Sequence, residues 1–439
     1  MRKKIIVRGP ALSASGYGEQ TRFALRSLRK HQQKFDIFLI NLNWGRTGHI
    51  LDDGEERNWI EQLIGKTQNF LNENGPNSRF DVSLQVTIPN EFEALAPVNV
   101  GYTAGIESTK AVSHWIEKCN SMNRIIVPST HSKTVFENSV YPTKNEIGQE
   151  TVLKTNGNID ICGYAAREIT AKSIELDLKT DFNFLTVVQW GPRKNLEATI
   201  GAFITEFSDN SNIGLIVKTN MAKNNFMDKI QVENRLKDFT SSYPNSKNMK
   251  CKIYLLHGNL DEQEMKGLYT HPKVKALITS THGEGFGLPV FESVLSELPV
   301  IAPAWSGHVD FLFAPKKEID TGKIKMKPHF TKIDYDIGPI QKDAQVPGIL
   351  QEDSQWCFPK NYSIRAAMKE VYKNHPTALS KAKKLREYVS QEFEANKQYD
   401  KFVSSITRCF ADDAFDEPVK TEFETKLESK NVLDDIIGL

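Results

Sequence analysis

Short apolar runs alternate with amphipathic helical patterns along the whole sequence, and no other feature limits the possible folds as much. Apolar runs of this length, each separated from the next by a helical stretch, are typical of buried strands in a parallel sheet with crossover helices. The runs are KIIVRG, FDIFLINL, FDVSLQV, VNVGYT and RIIVPS in the first half, and FNFLTVVQ, IGLIVKT, KIYLLHG, KALITS and PVIAPA in the second. A chain of 439 residues is also too long for one ordinary core. The sequence therefore predicts an α/β protein with two Rossmann-like domains.

A polar stretch, AREITAKSIELDLKTD, separates the two halves and lacks a clear apolar stripe. It places the domain boundary near residues 168–180. In the second half, a polar, lysine-rich stretch predicts an insertion or a pair of long loops, and two helical patterns follow it at 361–374 and 378–406. The predicted organisation is an N-terminal domain, a C-terminal domain, an insertion within the latter and an acidic tail: residues 1–175, 176–411, 314–354 and 412–439.

The charge of the chain is unevenly distributed. The formal net charge is +1, but residues 412–439 contain nine acidic and three basic side chains, which leaves residues 1–411 with a net +7. A mildly basic body suits an anionic ligand, although an ordinary solvated surface would give the same balance. A net charge this small provides no overall attraction to nucleic acid or to an anionic membrane.

Cysteine usage and hydropathy predict a cytoplasmic protein. The five cysteines are far apart and lack the paired spacing of zinc or redox sites, so we expect reduced thiols. The N-terminus enters an apolar strand without the long apolar region of a signal peptide. No stretch approaches the roughly 20 apolar residues that a membrane span requires.

The segment from Ala276 to Leu312 carries the strongest chemical signal. Its sequence, ALITSTHGEGFGLPVFESVLSELPVIAPAWSGHVDFL, predicts a strand, a glycine-rich turn, a helix and another strand. The glycines permit close approach of a ligand to the turn, and the N-terminus of the following helix favours an anionic ligand. Glu284 lies on the turn and Glu292 lies about one turn inside the helix. We expect both carboxylates to face the crevice at the carboxyl edge of the sheet, where open α/β sheets bind ligands.

Glu284, seven residues and Glu292, within EGFGLPVFE, resemble the E-x7-E motif of the retaining, glycogen-synthase-like GT-B glycosyltransferases. The resemblance extends loosely over both predicted domains. It implies a GT-B fold, in which two Rossmann-like domains hold a nucleotide-diphosphate sugar in the cleft between them, and a transfer that requires no metal ion. It also implies that Glu284 binds sugar hydroxyls and Glu292 the ribose, while the turn contacts sugar and diphosphate through Gly285, Phe286, Gly287 and Leu288. A glycine-rich turn with incidental glutamates is the alternative.

Arg193 and Lys194 lie just after the first strand of the second half, in VVQWGPRKNLEATIGAF. Two cations at the end of a strand suit a diphosphate. By resemblance, Lys194 and Asn195 match the family step whose lysine neutralises the leaving diphosphate, whereas the family's arginine five residues earlier falls on Gln189. We therefore expect Arg193 to substitute for that arginine and to join Lys194 and Glu284 in catalysis. Taken alone, such a pair is more typical of a solvated surface.

Two loops of the first half are further candidates. Gly16 and Gly18 lie between the first strand and the first helix, but the third glycine of a dinucleotide fingerprint is missing. In the family this loop faces the donor phosphates, and a simple connecting turn is the alternative. Gly105 and Glu107 follow another strand, where family members keep acceptor-side or catalytic groups. Glu107 is therefore a catalytic candidate, although the family's usual histidine is not recognisable there.

The remaining polar candidates lie at other strand ends. Lys218, Asn220 and His257 follow strands of the second half and are candidates for the nucleotide pocket, with ordinary loop residues as the alternative. Asp334 and Asp336 spell the D-x-D of metal-dependent glycosyltransferases, but they fall in the predicted insertion, away from the donor residues. We therefore predict no metal site.

The resemblance thus implies a retaining glycosyltransferase that moves a hexosyl or pentosyl group from a nucleotide-diphosphate sugar to an unidentified acceptor. A glycan, a protein, a lipid and a modified DNA base all remain open as acceptors. For a lipid, the contact would be one basic helix face, formed by Arg22, Arg26, Arg29 and Lys30, with a solvated helix as the alternative. Two other functions remain as alternatives: a phosphorylase or epimerase of the same fold, and a catalytically silent subunit that binds a sugar nucleotide.

Overall fold

The computed structural model describes residues 2–410 apart from 51–52, 146, 245 and 318–323, so the predicted acidic tail lies outside the described residues. The strands of the first half are β1 (Lys3–Gly9), β2 (Phe35–Asn41), β3 (Val82–Gln85), β4 (Val98–Tyr102), β5 (Arg124–Val127), β6 (Tyr141–Lys144), β7 (Glu150–Leu153) and β8 (Ile159–Ile161). Six of them form a parallel sheet in the order β2-β1-β3-β4-β5-β8, and β6 and β7 form a separate antiparallel hairpin. The apolar runs are continuous because both faces of such a sheet are covered.

The second half repeats this architecture. Its strands are β9 (Phe182–Gln189), β10 (Ile213–Asn220), β11 (Lys252–Leu256), β12 (Val274–Ile278), β13 (Val300–Pro303), β14 (Phe313–Lys317), β15 (Ile324–Pro328), β16 (Thr331–Ile333), β17 (Tyr335–Pro339) and β18 (Gln355–Pro359). Six form a parallel sheet in the order β11-β10-β9-β12-β13-β16. The pairs β14–β15 and β17–β18 are antiparallel hairpins. The predicted insertion therefore contributes an edge strand and parts of both hairpins rather than loops alone.

Helices connect the strands in both halves. They are α1 (Gly16–Lys30), α2 (Glu55–Asn74), α3 (Ser113–Asn120), α4 (Thr130–Asn138), α5 (Leu196–Phe207), α6 (Phe226–Ser241), α7 (Glu262–Tyr269), α8 (Leu288–Leu295), α9 (Val309–Leu312), α10 (Asn361–Lys373), α11 (His375–Glu392) and α12 (Ala395–Thr407). Short 3₁₀ turns occupy Gly75–Asn77, Pro89–Glu91, Pro192–Lys194, Ser246–Asn248 and Lys342–Ala344. In the described ranges, no helix combines the length and the apolarity that crossing a bilayer would demand.

The single helical pattern predicted over 378–406 is wrong, because the chain breaks between α11 and α12. Phe393 turns inward at the break and packs edge-on against Phe291, 5.4 Å between ring centroids, while its carbonyl accepts a hydrogen bond from Ala166 N at 2.6 Å. Glu394 then caps α12 by accepting hydrogen bonds from the backbone N–H groups of Asn396 and Lys397 at 3.0 and 2.9 Å. Tertiary packing of one phenylalanine thus overrides a continuous helical periodicity.

Helix α12 returns to the first half of the chain. Phe402 packs edge-on against Phe23 of α1, at 5.4 Å, and lies 5.0 Å from Tyr102 of β4. One apolar cluster consequently contains side chains from both halves. The last helix therefore joins the two sheets through buried aromatic contacts as well as through the chain itself.

Candidate active site

The glycine-rich turn follows β12 at the carboxyl edge of the second sheet and leads into α8. It lies directly against the loop that follows β4 in the first half. A Cβ atom at Gly283 would collide with the carbonyl oxygen of Glu107, and one at Gly285 with the carbonyl oxygen of Ala104. Only glycine permits so close an approach. The turn therefore forms a junction between the two halves.

Glu284 is paired with both cations that the sequence assigned to the donor. Lys194 Nζ donates to its Oε1 at 2.6 Å, and Arg193 Nη1 donates to its Oε2 at 3.2 Å. Arg193 Nη2 also lies 3.4 Å from Oε1 of Glu107 across the junction. The Glu284 side chain is only 10% exposed, so these pairs act in a medium less polarisable than water. We call Glu107, Arg193, Lys194 and Glu284 the charge cluster.

The charge cluster shifts the pKa values of its members. Burial alone would raise the pKa of Glu284, but Lys194 and Arg193 outweigh burial and lower that pKa to about 2. Burial lowers the pKa of Lys194, although Glu284 opposes this effect. Both pKa values are lowered, which favours the charged form of Glu284 but the neutral form of Lys194. The 2.6 Å contact, with a second cation beside it, indicates that both groups are charged at neutral pH.

Local backbone structure brings the two cations to the glycine-rich turn. The 3₁₀ turn Pro192–Lys194 ends at Asn195. Asn195 has a left-handed φ of 51° and directly precedes α5. Asn195 Nδ2 donates to the carbonyl oxygen of Ser280 at 3.1 Å, and His282 N donates to that of Arg193 at 2.8 Å. The turns after β9 and β12 are thus held together by hydrogen bonds. Gln189, at the family's arginine position, instead donates to the carbonyl oxygen of Met221 at 2.8 Å.

Strand β18, which directly follows the predicted insertion, joins the two halves beside the charge cluster. Thr109 N donates to the carbonyl oxygen of Gln355 at 2.8 Å, and Gln355 N donates to Thr109 Oγ1 at 2.9 Å. On the other side, Trp356 stacks on His282 of the glycine-rich turn, with ring centroids 4.8 Å apart and planes 10° apart. Sequence reasoning missed this role, because nothing local in the stretch indicates contacts to a loop more than 200 residues earlier.

Glu292 lies in a different environment from Glu284. Tyr269 donates its hydroxyl to Glu292 Oε2 at 2.8 Å. Burial raises the pKa of Glu292 to about 7, and the negative charges of Glu19 and Glu262 add to this effect. The expectation that both motif glutamates share one crevice with Lys194 stays a prediction, since the described contacts connect Glu292 to Tyr269 rather than to the charge cluster.

The loop of Gly16 and Gly18 begins α1. Ser15 caps the helix, with its Oγ accepting from Gly18 N at 3.1 Å. A Cβ atom at Gly18 would collide with the carbonyl oxygen of Ser13, whereas one at Gly16 would meet open space. Gly18 is therefore required for local packing, whereas a side chain at position 16 would fit.

The three arginines of α1 form buried ion pairs rather than an exposed face, whereas Lys30 is partly exposed and lies 3.4 Å from Asp400. Glu19 binds both Arg22, at 3.1 Å, and Arg26, at 2.9 Å. Arg26 also contacts Glu56 at 2.5 Å, and Arg29 lies 3.2 Å from Glu55. The side chains of Arg22, Arg26 and Arg29 are at most 14% exposed. They therefore do not present the basic face that a lipid surface would require.

Lys218 and Asn220 lie at the end of β10, and His257 directly follows β11, at the same edge of the second sheet. Lys218 Nζ donates to the carbonyl oxygen of Gly258 at 2.5 Å, and burial lowers the pKa of Lys218 to about 8. His257 Nε2 is hydrogen-bonded to Asp228 at 2.7 Å, a partner that sequence reasoning did not identify. Asn220 Nδ2 donates to the next loop at 3.1 Å. The three residues line one rim, but their contacts are separate from the charge cluster.

The D-x-D sequence lies on the β17–β18 hairpin. Asp336 forms an ion pair with Lys360 at 2.8 Å, and the backbone of Asp334 bonds to the start of α10. Over the described part of the chain, no three His, Cys, Asp or Glu side chains are grouped as metal ligands would be.

Comparisons with known proteins establish the fold. No protein-family model matches the sequence, and no curated protein matches it. Among solved structures, a sucrose-phosphate synthase from Thermosynechococcus elongatus has a TM-score of 0.57 at 11% identity, with 92% of this chain and 98% of that one covered. The E. coli trehalose-6-phosphate structure bound with UDP-2-fluoro glucose has a TM-score of 0.54 at 11% identity, over the same shares of 92% and 98%.

A third structure, S. aureus TarM in complex with fondaparinux, α-GlcNAc-glycerol and UDP, has a TM-score of 0.45 at 12% identity. The match covers 74% of this chain, which spans about half of that longer protein, 55%. The full-length matches show that the chain has the GT-B fold, and the fold prediction is confirmed.

Proposed function

From the GT-B fold and the charge cluster, we propose that the chain is a retaining glycosyltransferase that uses a nucleotide-diphosphate sugar. The observation that carries the proposal is the convergence of Lys194, Arg193 and Glu284 at the carboxyl edge of the second sheet, beside the N-terminus of α8. Two cations and a helix N-terminus suit a diphosphate, and a buried carboxylate suits sugar hydroxyls. The UDP-2-fluoro glucose in the matched E. coli structure favours a UDP-sugar as the donor.

The proposed reaction exchanges one bond at the sugar C1 atom for another. The bond from C1 to the diphosphate oxygen breaks, and C1 bonds to the acceptor oxygen on the same face. The acceptor proton passes to the departing phosphate oxygen, so no separate general base is needed. Lys194, Arg193 and the first N–H groups of α8 stabilise the negative charge that grows on the diphosphate. Glu284 orients the sugar by accepting hydrogen bonds from its hydroxyl groups.

We further propose that this transfer proceeds without a metal ion. Lys194 and Arg193 already provide two positive charges where the leaving group requires them. The proposal predicts that turnover in excess EDTA equals turnover in added Mg²⁺. A rate that collapses with EDTA and returns with Mg²⁺ would refute it.

The decisive experiment first finds the donor and then removes its contacts. A thermal-shift screen of UDP-, GDP- and ADP-sugars identifies the nucleotide, and release of nucleoside diphosphate reports turnover. Lys194→Ala and Glu284→Ala should each lower the turnover rate about 100-fold or more, as expected for loss of preorganised charge. Lys229→Ala is the matched control, since Lys229 is exposed on α6 and pairs only with Glu233 at 3.6 Å among the described residues. Full activity in both cluster variants would refute the assignment.

The same assay separates the alternative functions by product. A phosphorylase would form a sugar phosphate from free phosphate and a glycan, and an epimerase would change the donor sugar without releasing the nucleotide. A silent subunit would give a thermal shift but no turnover.

A further inference from the structure

Trp305 lies in the loop between β13 and α9, and unusual backbone geometry fixes it beside Glu284. Ser306, the next residue, has a φ of 74°, a conformation that a residue with a side chain seldom adopts. Its Oγ accepts from Glu284 N at 2.9 Å, and Gly307 N donates to the carbonyl oxygen of Glu284 at 2.8 Å. Backbone strain persists where the surroundings impose it, and it is often found at functional sites. The loop therefore holds the Trp305 indole in one place relative to Glu284.

His131 faces Trp305 from the first half of the chain. The two rings are 4.9 Å apart and meet edge to face. The backbone groups of Ser108 and Ile106, the two neighbours of Glu107, lie close enough to the imidazole to act on its pKa. His131 and Trp305 therefore meet across the same junction as the charge cluster.

One ring nitrogen of His131 is buried without a partner. Among the described residues, none forms a hydrogen bond with its Nε2. Burial lowers the pKa of His131 to about 4, so the imidazole is neutral near pH 7. A neutral imidazole donates from one nitrogen and accepts at the other, so Nε2 is a hydrogen-bond acceptor in the tautomer that is protonated at Nδ1. An unpaired buried acceptor costs about 1–3 kcal/mol and calls for an explanation.

The chemistry of the two side chains indicates what they would bind. An indole offers an apolar face, and Nε2 accepts a hydrogen bond from a hydroxyl group. A sugar ring presents both complements, since its C–H groups form an apolar face and its hydroxyls are donors. We propose that Trp305 and His131 form an acceptor subsite, in which Trp305 packs against a sugar ring and His131 Nε2 accepts a hydrogen bond from one of its hydroxyls.

This inference rests on the proposed function and names its acceptor class. Because the two side chains belong to different halves, the subsite lies at the junction between them. Glu107, between the two residues whose backbone groups lie beside the imidazole, is paired with Arg193 of the charge cluster. The subsite is thus next to the donor contacts, as transfer between bound substrates requires.

The experiment compares transfer to sugars with transfer to water in the full-length protein. The donor found in the thermal-shift screen is supplied with p-nitrophenyl glycosides of glucose, galactose, mannose and N-acetylglucosamine, or with no acceptor. Trp305→Ala and His131→Phe should each raise the acceptor KM at least tenfold, while the donor KM for hydrolysis changes less than twofold. His131→Gln keeps an acceptor atom and should recover part of the lost affinity. The control is His375→Phe, another partly buried histidine, in α11, whose Nε2 lies 3.0 Å from a backbone oxygen of Lys275.

The possible results separate this inference from the proposed function. Equal losses of hydrolysis and transfer, or a reduced melting temperature that accounts for both, would show a structural role and overturn the subsite. Transfer by the wild type to a serine peptide or to hydroxymethylated DNA, but to none of the glycosides, would overturn the acceptor class and leave the glycosyltransferase function intact. No release of nucleoside diphosphate from any donor would overturn both.

Discussion

Replacing Glu284 by glutamine tests whether the charge cluster is a desolvated ion pair. The substitution keeps the side-chain shape but removes the negative charge from a carboxylate bound to Lys194 and Arg193 at 2.6 and 3.2 Å. Breaking a buried pair costs about 3–5 kcal/mol when it leaves the partner charged and unpaired. Arg193 keeps Glu107 and the carbonyl oxygen of Gly283, so the loss falls mainly on Lys194. We therefore expect a destabilisation of about 3 kcal/mol at pH 7.

The lowered pKa of Glu284, which results from the same ion pairs, gives a second route to this quantity. A decrease from 4.5 in the unfolded chain to about 2 in the folded chain corresponds to about 3 kcal/mol. Because the folded pKa is the lower one, this stability is complete above pH 4.5 and is lost as the pH falls through 2. At pH 3.5, the wild type should have lost about 1.4 kcal/mol of this stability. The difference between wild type and Glu284→Gln should shrink by that amount.

Urea denaturation followed by tryptophan fluorescence, at pH 7 and pH 3.5, measures both values. Taking the difference between wild type and variant cancels the acid effects that the two proteins share. Glu61→Gln is the control, because Glu61 is about half exposed and pairs with Arg57 at 2.9 Å on α2. An exposed pair of this kind should contribute under about 0.5 kcal/mol. If Glu284→Gln behaves like Glu61→Gln at both pH values, the description of the cluster is wrong.

Two further predictions concern α8. Burial raises the pKa of Glu292 from 4.5 in the unfolded chain to about 7 in the folded chain. The contribution of this group to folding stability is therefore complete below pH 4.5 and is lost as the pH rises through 7. In urea denaturation, the free energy of unfolding of Glu292→Gln should therefore rise by about 3 kcal/mol relative to that of wild type between pH 4 and pH 8. A difference between the two proteins that does not change with pH would contradict this. Glu297 has a φ of 56° just beyond the end of α8, so Glu297→Gly should raise the free energy of unfolding by about 1 kcal/mol, while Glu297→Ala should not.

The fold could be predicted because its strands are continuously apolar. Residues such as Ile5 and Val7 are fully buried in a sheet covered on both faces, and such runs are visible locally. The break at Phe393 could not be predicted, since the helical periodicity continues through it and only packing against Phe291 decides the matter. Secondary structure set by distant contacts leaves no local signal.

The site could be predicted in part for the same reason. Lys194 and Glu284 follow neighbouring strands of one parallel sheet, and the carboxyl ends of such strands meet at one edge. Contacts between the halves depend on how two sheets are placed relative to each other, which strand patterns do not determine. His131 shows this limit, because its role depends on Trp305 lying opposite it, 174 positions later.

Under the proposed function, the pairing within the charge cluster would let donor recognition respond to both ends of the donor. Lys194 and Arg193 are partners of Glu284, so a diphosphate that binds these cations competes with that carboxylate. A carboxylate displaced into a buried site is stable only if it gains other hydrogen bonds. Under the proposed function, sugar hydroxyls supply those bonds. A nucleoside diphosphate without its sugar would leave Glu284 uncompensated, so the cluster itself favours the intact donor over the product that must leave.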